Sequence, residues 1–211
     1  MKKTDRNLAL LKGIFLTCLI TSNVISSKVV AIGPLSVPAA VTAYPVTFLM
    51  TDIIGEIWGK KEADSTVVLG VICQVLSLAL IGIALALPAA SFADNQEAFS
   101  AVLGSTFRVV AASMAGYLCS QTWDVWVFHR IRDAYIRHHG SVRGGRWIWN
   151  NASTMTSQLF DTTIFIVLAF YGVVPDILNM IVSQYLVKLV IALLDTVPFY
   201  LLTNRTVKEA N

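Results

Sequence analysis

Residues 66–87, which read TVVLGVICQVLSLALIGIALAL, form an apolar stretch without a single charged residue. A helix needs about 20 apolar residues to cross the hydrocarbon core of a bilayer, so this stretch is long enough to span a membrane once. The whole chain has a similar character. Of its 211 residues, 55% are hydrophobic and only 14% are charged, whereas soluble domains carry about 25% charged residues. The composition therefore predicts a polytopic membrane protein.

Five more stretches have the length and apolarity of membrane-crossing helices, and short turns connect all six. Gly33-Pro34 and Gly59-Lys60-Lys61 mark the first two turns. No small-residue cleavage site closes the first stretch, so we expect a retained helix and not a signal peptide. We predict an all-α integral membrane protein whose residues 1–211 form one six-helix transmembrane domain. The predicted spans are Leu8–Ser26, Val37–Trp58, Thr66–Leu87, Gly104–Phe128, Ser153–Val174 and Ile177–Leu202.

The fourth span has two alternative registers, Ala101–Thr122 or a stretch from near Arg108 to Phe128. The segment before it, Ser91–Leu103, is predicted as an exposed loop or a short surface helix. The segment after it, Arg130–Arg146, is basic and punctuated by glycine, so we predict a loop.

The distribution of lysine and arginine predicts the orientation in the membrane, because cytoplasmic segments are enriched in both residues. With six spans, both termini and the second and fourth loops lie on the same side. That side holds 13 of these residues, and the other side holds only Lys28. We therefore expect both termini to lie in the cytoplasm.

Several functional classes are not expected from this sequence. It has no basic stripe with interleaved aromatic residues, so nucleic acid is not an expected partner. Cys18, Cys73 and Cys119 lie in separate apolar stretches without metal-ligand spacing. No phosphate-binding P-loop is present. We expect no cofactor and no bound metal, and the expected partners are the lipid bilayer and a small molecule. A homo-oligomer is left open.

Six ionisable residues interrupt the apolar stretches. A charge inside hydrocarbon costs about 2.5 to 3.5 kcal/mol on insertion scales, so such groups must be paired, hydrated or used. Carboxylates outnumber cations by four to two, which indicates a hydrated pocket that accepts a donor-rich or cationic guest. The six residues are Asp52, Glu56, Arg108, Asp161, Lys188 and Asp195.

The second span contains Pro45, which predicts a kink or an unwound turn because proline lacks a backbone donor. Interrupted helices often line transporter sites. Asp52 and Glu56 follow four residues apart and share a helix face, which predicts contact with a substrate or a cation. For Glu56, an interfacial ion pair with Lys60 is an equally strong alternative.

The fifth span carries a continuous polar stripe formed by Asn150, Thr154, Gln158 and Asp161. Hydrogen bonds between helices would explain the hydroxyl groups, but they explain a carboxylate at mid-membrane poorly. Gln158 and Asp161 are three residues apart. An amide beside a carboxylate suits the edge of a heterocycle, since the carboxylate accepts two N–H groups and the amide serves a carbonyl.

The remaining polar positions are open to two interpretations each. Gln184, Lys188 and Asp195 share one face of span six, and Lys188 either forms a structural ion pair with Asp161 or Asp195 or contacts the substrate. Gln121 and Asp124 repeat the spacing of Gln158 and Asp161, which chance also explains. Near the outer end of span one, Asn23 is a candidate contact, whereas Lys28 is more simply an interfacial anchor.

These residues together resemble the queuosine precursor transporters, also called the vitamin uptake transporter family. The resemblance runs from about Leu8 to Leu202, and the order and spacing of its short motifs make it specific. One departure is Val197, which separates Thr196 from Pro198. The motifs are Thr21-Ser22-Asn23 with Lys28, Tyr44-Pro45-Val46-Thr47-Phe48, Thr51-Asp52 with Glu56, Gly59-Lys60-Lys61, Phe107-Arg108, Ala112-Ser113, Tyr117-Leu118, Ser120-Gln121 with Asp124, Trp149 with Asn151, Ser153-Thr154, Ser157-Gln158 with Asp161-Thr162, Ser183-Gln184-Tyr185 with Lys188, and Asp195-Thr196 with Pro198.

The resemblance implies uptake of 7-cyano-7-deazaguanine and 7-aminomethyl-7-deazaguanine across a bacterial inner membrane for tRNA queuosine synthesis. It also implies a likeness to the six-helix substrate-binding subunits of energy-coupling-factor transporters, without their ATPase partners. Phe48, Phe160 and Tyr185 are candidates to stack on the flat base, although membrane aromatics more commonly pack against lipid. Whether entry is proton-driven or equilibrative is left open.

We therefore predict a transporter for a purine-like molecule and not an enzyme. An intramembrane hydrolase with paired carboxylates is the alternative, and it lacks an activated nucleophile. A purely structural or assembly role is a third hypothesis. The predicted substrate contacts are Asp161, Gln158, Asp52, Glu56, Asn23, Gln184, Tyr44 and Phe48. The residues predicted to balance charge or to gate are Arg108, Lys188, Asp195, Gln121 and Asp124.

Overall fold

The computed structural model describes residues 3–92, 94–139 and 146–191, and these residues are mostly helical. Within them, two apolar helical segments, Met155–Phe170 and Ile177–Ile191, are shorter than a full membrane span. The helical multi-pass architecture agrees with the prediction, and the count of six spans stays a prediction. The segments that are long and apolar enough to cross a membrane are Asp5–Ile25, Ala39–Trp58, Lys60–Ala86 and Gln96–Ser120.

The regular elements follow one another with short connections. In chain order they are α1 (Asp5–Ile25), β1 (Val29–Ile32), β2 (Leu35–Pro38), a 3-10 helix (Ala39–Thr42), α2 (Tyr44–Trp58), α3 (Lys60–Ala86), α4 (Gln96–His139), α5 (Arg146–Phe170) and α6 (Ile177–Ile191).

Helix α1 begins three residues before the predicted span. Thr4 is the N-cap, and its side-chain oxygen accepts the backbone N–H of Asn7 at 3.3 Å. Asp5 places a negative charge in the first turn, where it interacts favourably with the positive end of the helix dipole. Capping therefore extends the helix beyond its apolar stretch.

A small β-hairpin separates α1 from α2, which the all-helical prediction did not include. Strands β1 and β2 pair antiparallel, with Val30 opposite Val37 and Ile32 opposite Leu35. Gly33 turns the chain with a φ of 61°, as the glycine-proline turn predicts. The predicted span Val37–Trp58 agrees with the candidate membrane segment Ala39–Trp58 except at its first two residues. Val37 and Pro38 belong to β2, because β-branched residues favour strands here.

Pro45 lies in the first turn of α2 and not in the middle of a longer helix. A proline at this position interrupts nothing, because the first N–H groups of a helix have no partner within the helix. The prediction of a kink at Pro45 was therefore wrong. The break in this segment is the change from the 3-10 helix to α2 at Ala43, which is the C-cap of one and the N-cap of the other.

The turn between α2 and α3 is confirmed at Gly59. Its φ of 94° is a conformation that favours glycine, and its N–H bonds the carbonyl oxygen of Gly55 at 3.0 Å. Helix α3 then starts at Lys60, six residues before the predicted span.

Helix α4 is one continuous helix of 44 residues. It covers both registers considered for span four. It also continues through His139, so the predicted loop at Arg130–Arg146 is helical in its first ten residues. At a rise of about 1.5 Å per residue, α4 is about 66 Å long, roughly twice the thickness of a hydrocarbon core. Charged residues end the apolar stretch but not the helix.

The chain divides into two compact units. The first unit comprises residues 1–107 and 186–211, and the second comprises residues 108–185. In the first unit, a core of α1 and α2 side chains includes Phe15, Ile53 and Ile54. In the second unit, side chains of α4, α5 and α6 form a separate apolar core that includes Val109, Ile166 and Met180.

Candidate functional site

One face of α2 carries aromatic and acidic side chains at every fourth position. Tyr44 is half-buried, Phe48 is 50% exposed, and Asp52 and Glu56 are exposed. The opposite face of the helix is buried in the core of the first unit. Because residues four apart lie above one another on a helix, these four predicted contacts form one stripe that points away from that core.

The hydroxyl groups beside this stripe are used within the helix. Thr47 donates to the carbonyl oxygen of Tyr44 at 2.7 Å, and Thr51 donates to that of Phe48 at 2.8 Å. In the part of the chain that the structure describes, no ion pair joins Glu56 to Lys60. The polar groups of the α2 stripe are thus the Asp52 and Glu56 carboxylates and the Tyr44 hydroxyl.

In the second unit, Asp161 of α5 packs directly against Gly116 of α4. A Cβ atom placed on Gly116 would lie 3.0 Å from Asp161 Oδ1 and 3.2 Å from its carbonyl oxygen. A methyl group at this position would require Asp161 to move by a few tenths of an ångström. Gly116 therefore lets the two helices meet at the charged residue itself, as small residues do at helix contacts in membranes.

The sequence interpretation missed Gly116. The signal was present in the small residues Ala111, Ala112, Ser113 and Ala115 that precede it. Such a cluster indicates a close helix contact, but it does not say which helix makes the contact.

The directions of α4, α5 and α6 determine which of their residues lie at the same level of the second unit. Arg108 contacts the backbone of Leu168 and Gly116 contacts Asp161, so α4 and α5 are antiparallel. Tyr185 donates to the carbonyl oxygen of Met155 at 3.3 Å, and Phe165 and Met180 share the apolar core, so α5 and α6 are also antiparallel.

One helical turn beyond this apolar core, on the same side of it, α4, α5 and α6 carry glycine or polar residues in place of apolar ones. Gly116 follows Ala112 on α4, Asp161 precedes Phe165 on α5, and Gln184 follows Met180 on α6. These three residues, with Gln158 and Thr162, form what we call the polar layer. Thr162 is fully buried and donates to the carbonyl oxygen of Gln158 at 2.8 Å.

Gln184 is the most deeply buried amide of the polar layer, at 1% exposure. Its Oε1 accepts no hydrogen bond from any residue that the structure describes. A buried acceptor without a partner costs about 1–3 kcal/mol, so the polar layer contains an acceptor that a donor from a bound molecule would satisfy. Half-buried Asp161 adds two more acceptor atoms to the layer.

Arg108 binds the end of α5. Its Nε donates to the carbonyl oxygen of Leu168 at 2.7 Å, and its Nη2 donates to that of Tyr171 at 2.6 Å. The last carbonyl groups of a helix have no partner within the helix and carry partial negative charge. The guanidinium thus caps α5, and a role in gating stays a prediction.

The aromatic residues near the polar layer contact each other. Phe160 stacks on Trp123, with ring centroids 5.0 Å apart and an angle of 21° between the rings. Trp123 also lies 5.4 Å from Trp126. Phe160 therefore already has an aromatic partner on one face.

The remaining predicted residues lie elsewhere. Asn23 is buried in the first unit, where its Nδ2 donates to Gln74 Oε1 at 2.8 Å. Lys188 is half-buried on α6. Gln121 and Asp124 belong to α4, but their side chains fall outside the described part, as does all of Asp195. Among the described residues, no group of three or more His, Cys, Asp or Glu side chains is arranged to hold a metal ion.

Comparison with known proteins identifies the family of this chain. A Bacillus subtilis protein named "Probable queuosine precursor transporter" is 35% identical over 156 residues, which are 72% of this chain and 65% of that protein. A Haemophilus influenzae protein of the same name is 26% identical over 162 residues, which are 74% of this chain and 64% of that protein. The chain thus spans just under two thirds of the length of the curated relatives it matches. No solved structure matches it. The family model described as "Putative vitamin uptake transporter" matches residues 38–202, and the chain therefore belongs to the vitamin uptake transporter family.

Proposed function

We propose that this chain transports queuosine precursors across a membrane and that the polar layer of the second unit binds them. The observation that carries the proposal is the presence of two kinds of acceptor in one layer, the half-buried Asp161 carboxylate against Gly116 and the buried, unpartnered Oε1 of Gln184. The names of both relatives support this class of substrate.

The chemistry of a 7-deazaguanine matches this set of groups. Its six-membered ring presents an N–H and an amino group side by side, next to a carbonyl. The Asp161 carboxylate accepts both donors, and the Gln158 amide donates to the carbonyl. Gln184 Oε1 then accepts a remaining N–H of the base. We propose both 7-cyano-7-deazaguanine and 7-aminomethyl-7-deazaguanine as substrates.

The α2 stripe supplies further contacts during passage across the membrane. Asp52 and Glu56 suit the ammonium group of the aminomethyl base, and Tyr44 and Phe48 offer flat apolar surface beside them. A cationic substrate gains more from these carboxylates than a neutral nitrile does. The proposal therefore includes a stronger dependence of the aminomethyl base on Asp52 and Glu56.

We further propose a six-helix bundle similar to the substrate-binding subunits of energy-coupling-factor transporters, in a bacterial inner membrane with both termini in the cytoplasm. The excess of lysine and arginine on one predicted side supports this orientation. No observation favours the alternative of an intramembrane hydrolase.

The direct test is uptake of labelled precursor by cells that cannot make it. We expect Asp161→Asn to reduce uptake at least about tenfold, because hydrogen bonds to a charged group contribute about 1.5–3 kcal/mol. Asp64→Asn, at an exposed position of α3, is the matched control and should retain wild-type uptake. Wild-type uptake by correctly folded Asp161→Asn protein would exclude Asp161 from the site.

A further inference from the structure

A second group of buried polar side chains lies in the first unit, where the C-terminal part of α1 meets α3. Ser22 and Ser26 are fully buried, Asn23 is 4% exposed, and Gln74 of α3 is 7% exposed. We call these four residues the seam cluster. Nothing in the chemistry proposed for the polar layer uses them as a group.

Three of the four side chains, Ser22, Asn23 and Gln74, take part in hydrogen bonds. Ser22 donates to the carbonyl oxygen of Leu19 at 2.8 Å. The Nδ2 group of Asn23 donates to the same carbonyl oxygen at 3.1 Å and to Gln74 Oε1 at 2.8 Å. The orientation of the Asn23 amide is therefore set, and its Oδ1 points away from Gln74.

Two buried oxygen atoms of the cluster have no hydrogen-bond partner among the described residues. These atoms are Asn23 Oδ1 and Ser26 Oγ. The two residues are three apart on α1 and so lie on one face of the helix. An unpartnered buried polar group is destabilising, and both side chains are almost completely buried, so bulk solvent does not reduce that cost.

The packing around the cluster is close. Gly70 of α3 lies one turn before Gln74, and a Cβ atom there would lie 2.8 Å from Phe15 and 2.9 Å from Leu19. The 3-10 helix contacts α1 as well, and its Ala40 is fully buried. Because Ser26 and Asn23 are themselves almost completely buried, a small occupant suits the two oxygens best.

We propose that Asn23 and Ser26 hold one buried water molecule, which donates to Asn23 Oδ1 and exchanges a hydrogen bond with the Ser26 hydroxyl. Buried waters commonly make about three hydrogen bonds to groups that otherwise lack partners. A metal cation fits the seam cluster less well, because both oxygens are uncharged and the neighbouring oxygens of Leu19 and Gln74 already accept hydrogen bonds.

The proposed water lies beside the last of three contacts that join α1 to α3 along their length. Lys12 and Glu62 form an ion pair at one end of α1 and α3. In the middle, two α1 side chains pack against Gly70. At the other end, Asn23 donates a hydrogen bond to Gln74. A water bound to Asn23 fixes the amide that makes the last of these contacts. We therefore expect the site to stabilise the pairing of α1 with α3.

The test compares the apparent Tm of Ser26→Ala with that of Ser22→Ala in purified protein. If water bridges Ser26 and Asn23, Ser26→Ala removes one of its partners and lowers the Tm by about 2–4 °C, the shift expected for 1 kcal/mol in a chain of this size. Ser22→Ala should change the Tm less, because Leu19 O keeps a second side-chain donor in Asn23. An unchanged or raised Tm for Ser26→Ala would overturn the proposal, because it would show that the Ser26 hydroxyl has no water partner in the wild-type protein.

Two further measurements identify the occupant. Ser26→Cys keeps a weak donor of similar shape, and we expect its Tm between those of wild type and Ser26→Ala. Adding 7-aminomethyl-7-deazaguanine should raise the Tm of wild type and Ser26→Ala by the same amount. A loss of this ligand-dependent rise in Ser26→Ala, but not in Ser22→Ala, would show that the seam cluster binds substrate instead of water. Failure of transport to depend on Asp161 would leave this test unaffected.

Discussion

Gly116 shows how a residue without a side chain can position a functional group. The absent Cβ lets the Asp161 carboxylate lie closer to α4 than an alanine would allow without a shift. We predict that Gly116→Ala displaces this carboxylate and raises the KM for precursor uptake about tenfold, with a smaller effect on the amount of folded protein.

The matched control for this prediction is Gly104→Ala on the same helix. A Cβ atom on Gly104 would meet nothing within 4 Å, and alanine is the better helix former by about 1 kcal/mol. We expect Gly104→Ala to retain uptake and to be at least as stable as wild type. An equal KM for Gly116→Ala and wild type would contradict the positioning role.

Gln184 and Gln74 are two buried glutamines that differ in whether their side-chain oxygen accepts a hydrogen bond. Gln184 Oε1 has no partner among the described residues, whereas Gln74 Oε1 accepts from Asn23. We predict that Gln184→Leu raises the Tm of the substrate-free protein by about 2–4 °C and weakens precursor binding, because it removes an unsatisfied acceptor. Gln74→Leu should lower the Tm, because it leaves the Asn23 amide without this partner. Thermal unfolding with and without precursor measures both effects, and a lower Tm for Gln184→Leu would contradict the assignment.

At the scale of elements, Arg108 joins α4 to the end of α5 through two backbone carbonyl groups. We predict that Arg108→Ala lowers the apparent Tm by several degrees and that Arg108→Lys recovers only part of the loss. A lysine retains the charge but cannot reproduce two donors in a fixed planar fork. Equal Tm values for the lysine variant and wild type would show that charge alone matters.

The elements also show where local sequence signals are dependable. Gly33 and Gly59 predict turns, and the structure places both glycines at turns with positive φ. Pro45 predicts a break, but a single proline is equally compatible with the first turn of a helix, which is where it lies. A helix end is decided by capping as well as by hydropathy, so α4 runs on through a basic segment that hydropathy alone assigns to a loop.

At the scale of the whole molecule, the excess of basic residues on one side predicts the orientation. In a variant without Cys18, Cys73 and Cys119, we expect Lys28→Cys to react with a membrane-impermeant maleimide added to intact cells. Lys61→Cys should react only after the cells are opened. Labelling of Lys61→Cys in intact cells would reverse the orientation, and labelling of both would require a different number of spans.

Membership of a membrane-protein class follows from the sequence alone, because transfer of a helix into a bilayer depends on the apolar surface of that helix and hardly on its neighbours. The uncharged stretch at residues 66–87 and the polar stripe that ends at Asp161 are properties of single helices, and both can be read in the sequence. The contact of Gly116 with Asp161, the burial of Gln184 and the bond between Asn23 and Gln74 join residues that are distant in the chain. Only the tertiary structure decides such contacts, because they depend on how closely two helices approach and at which residues they cross.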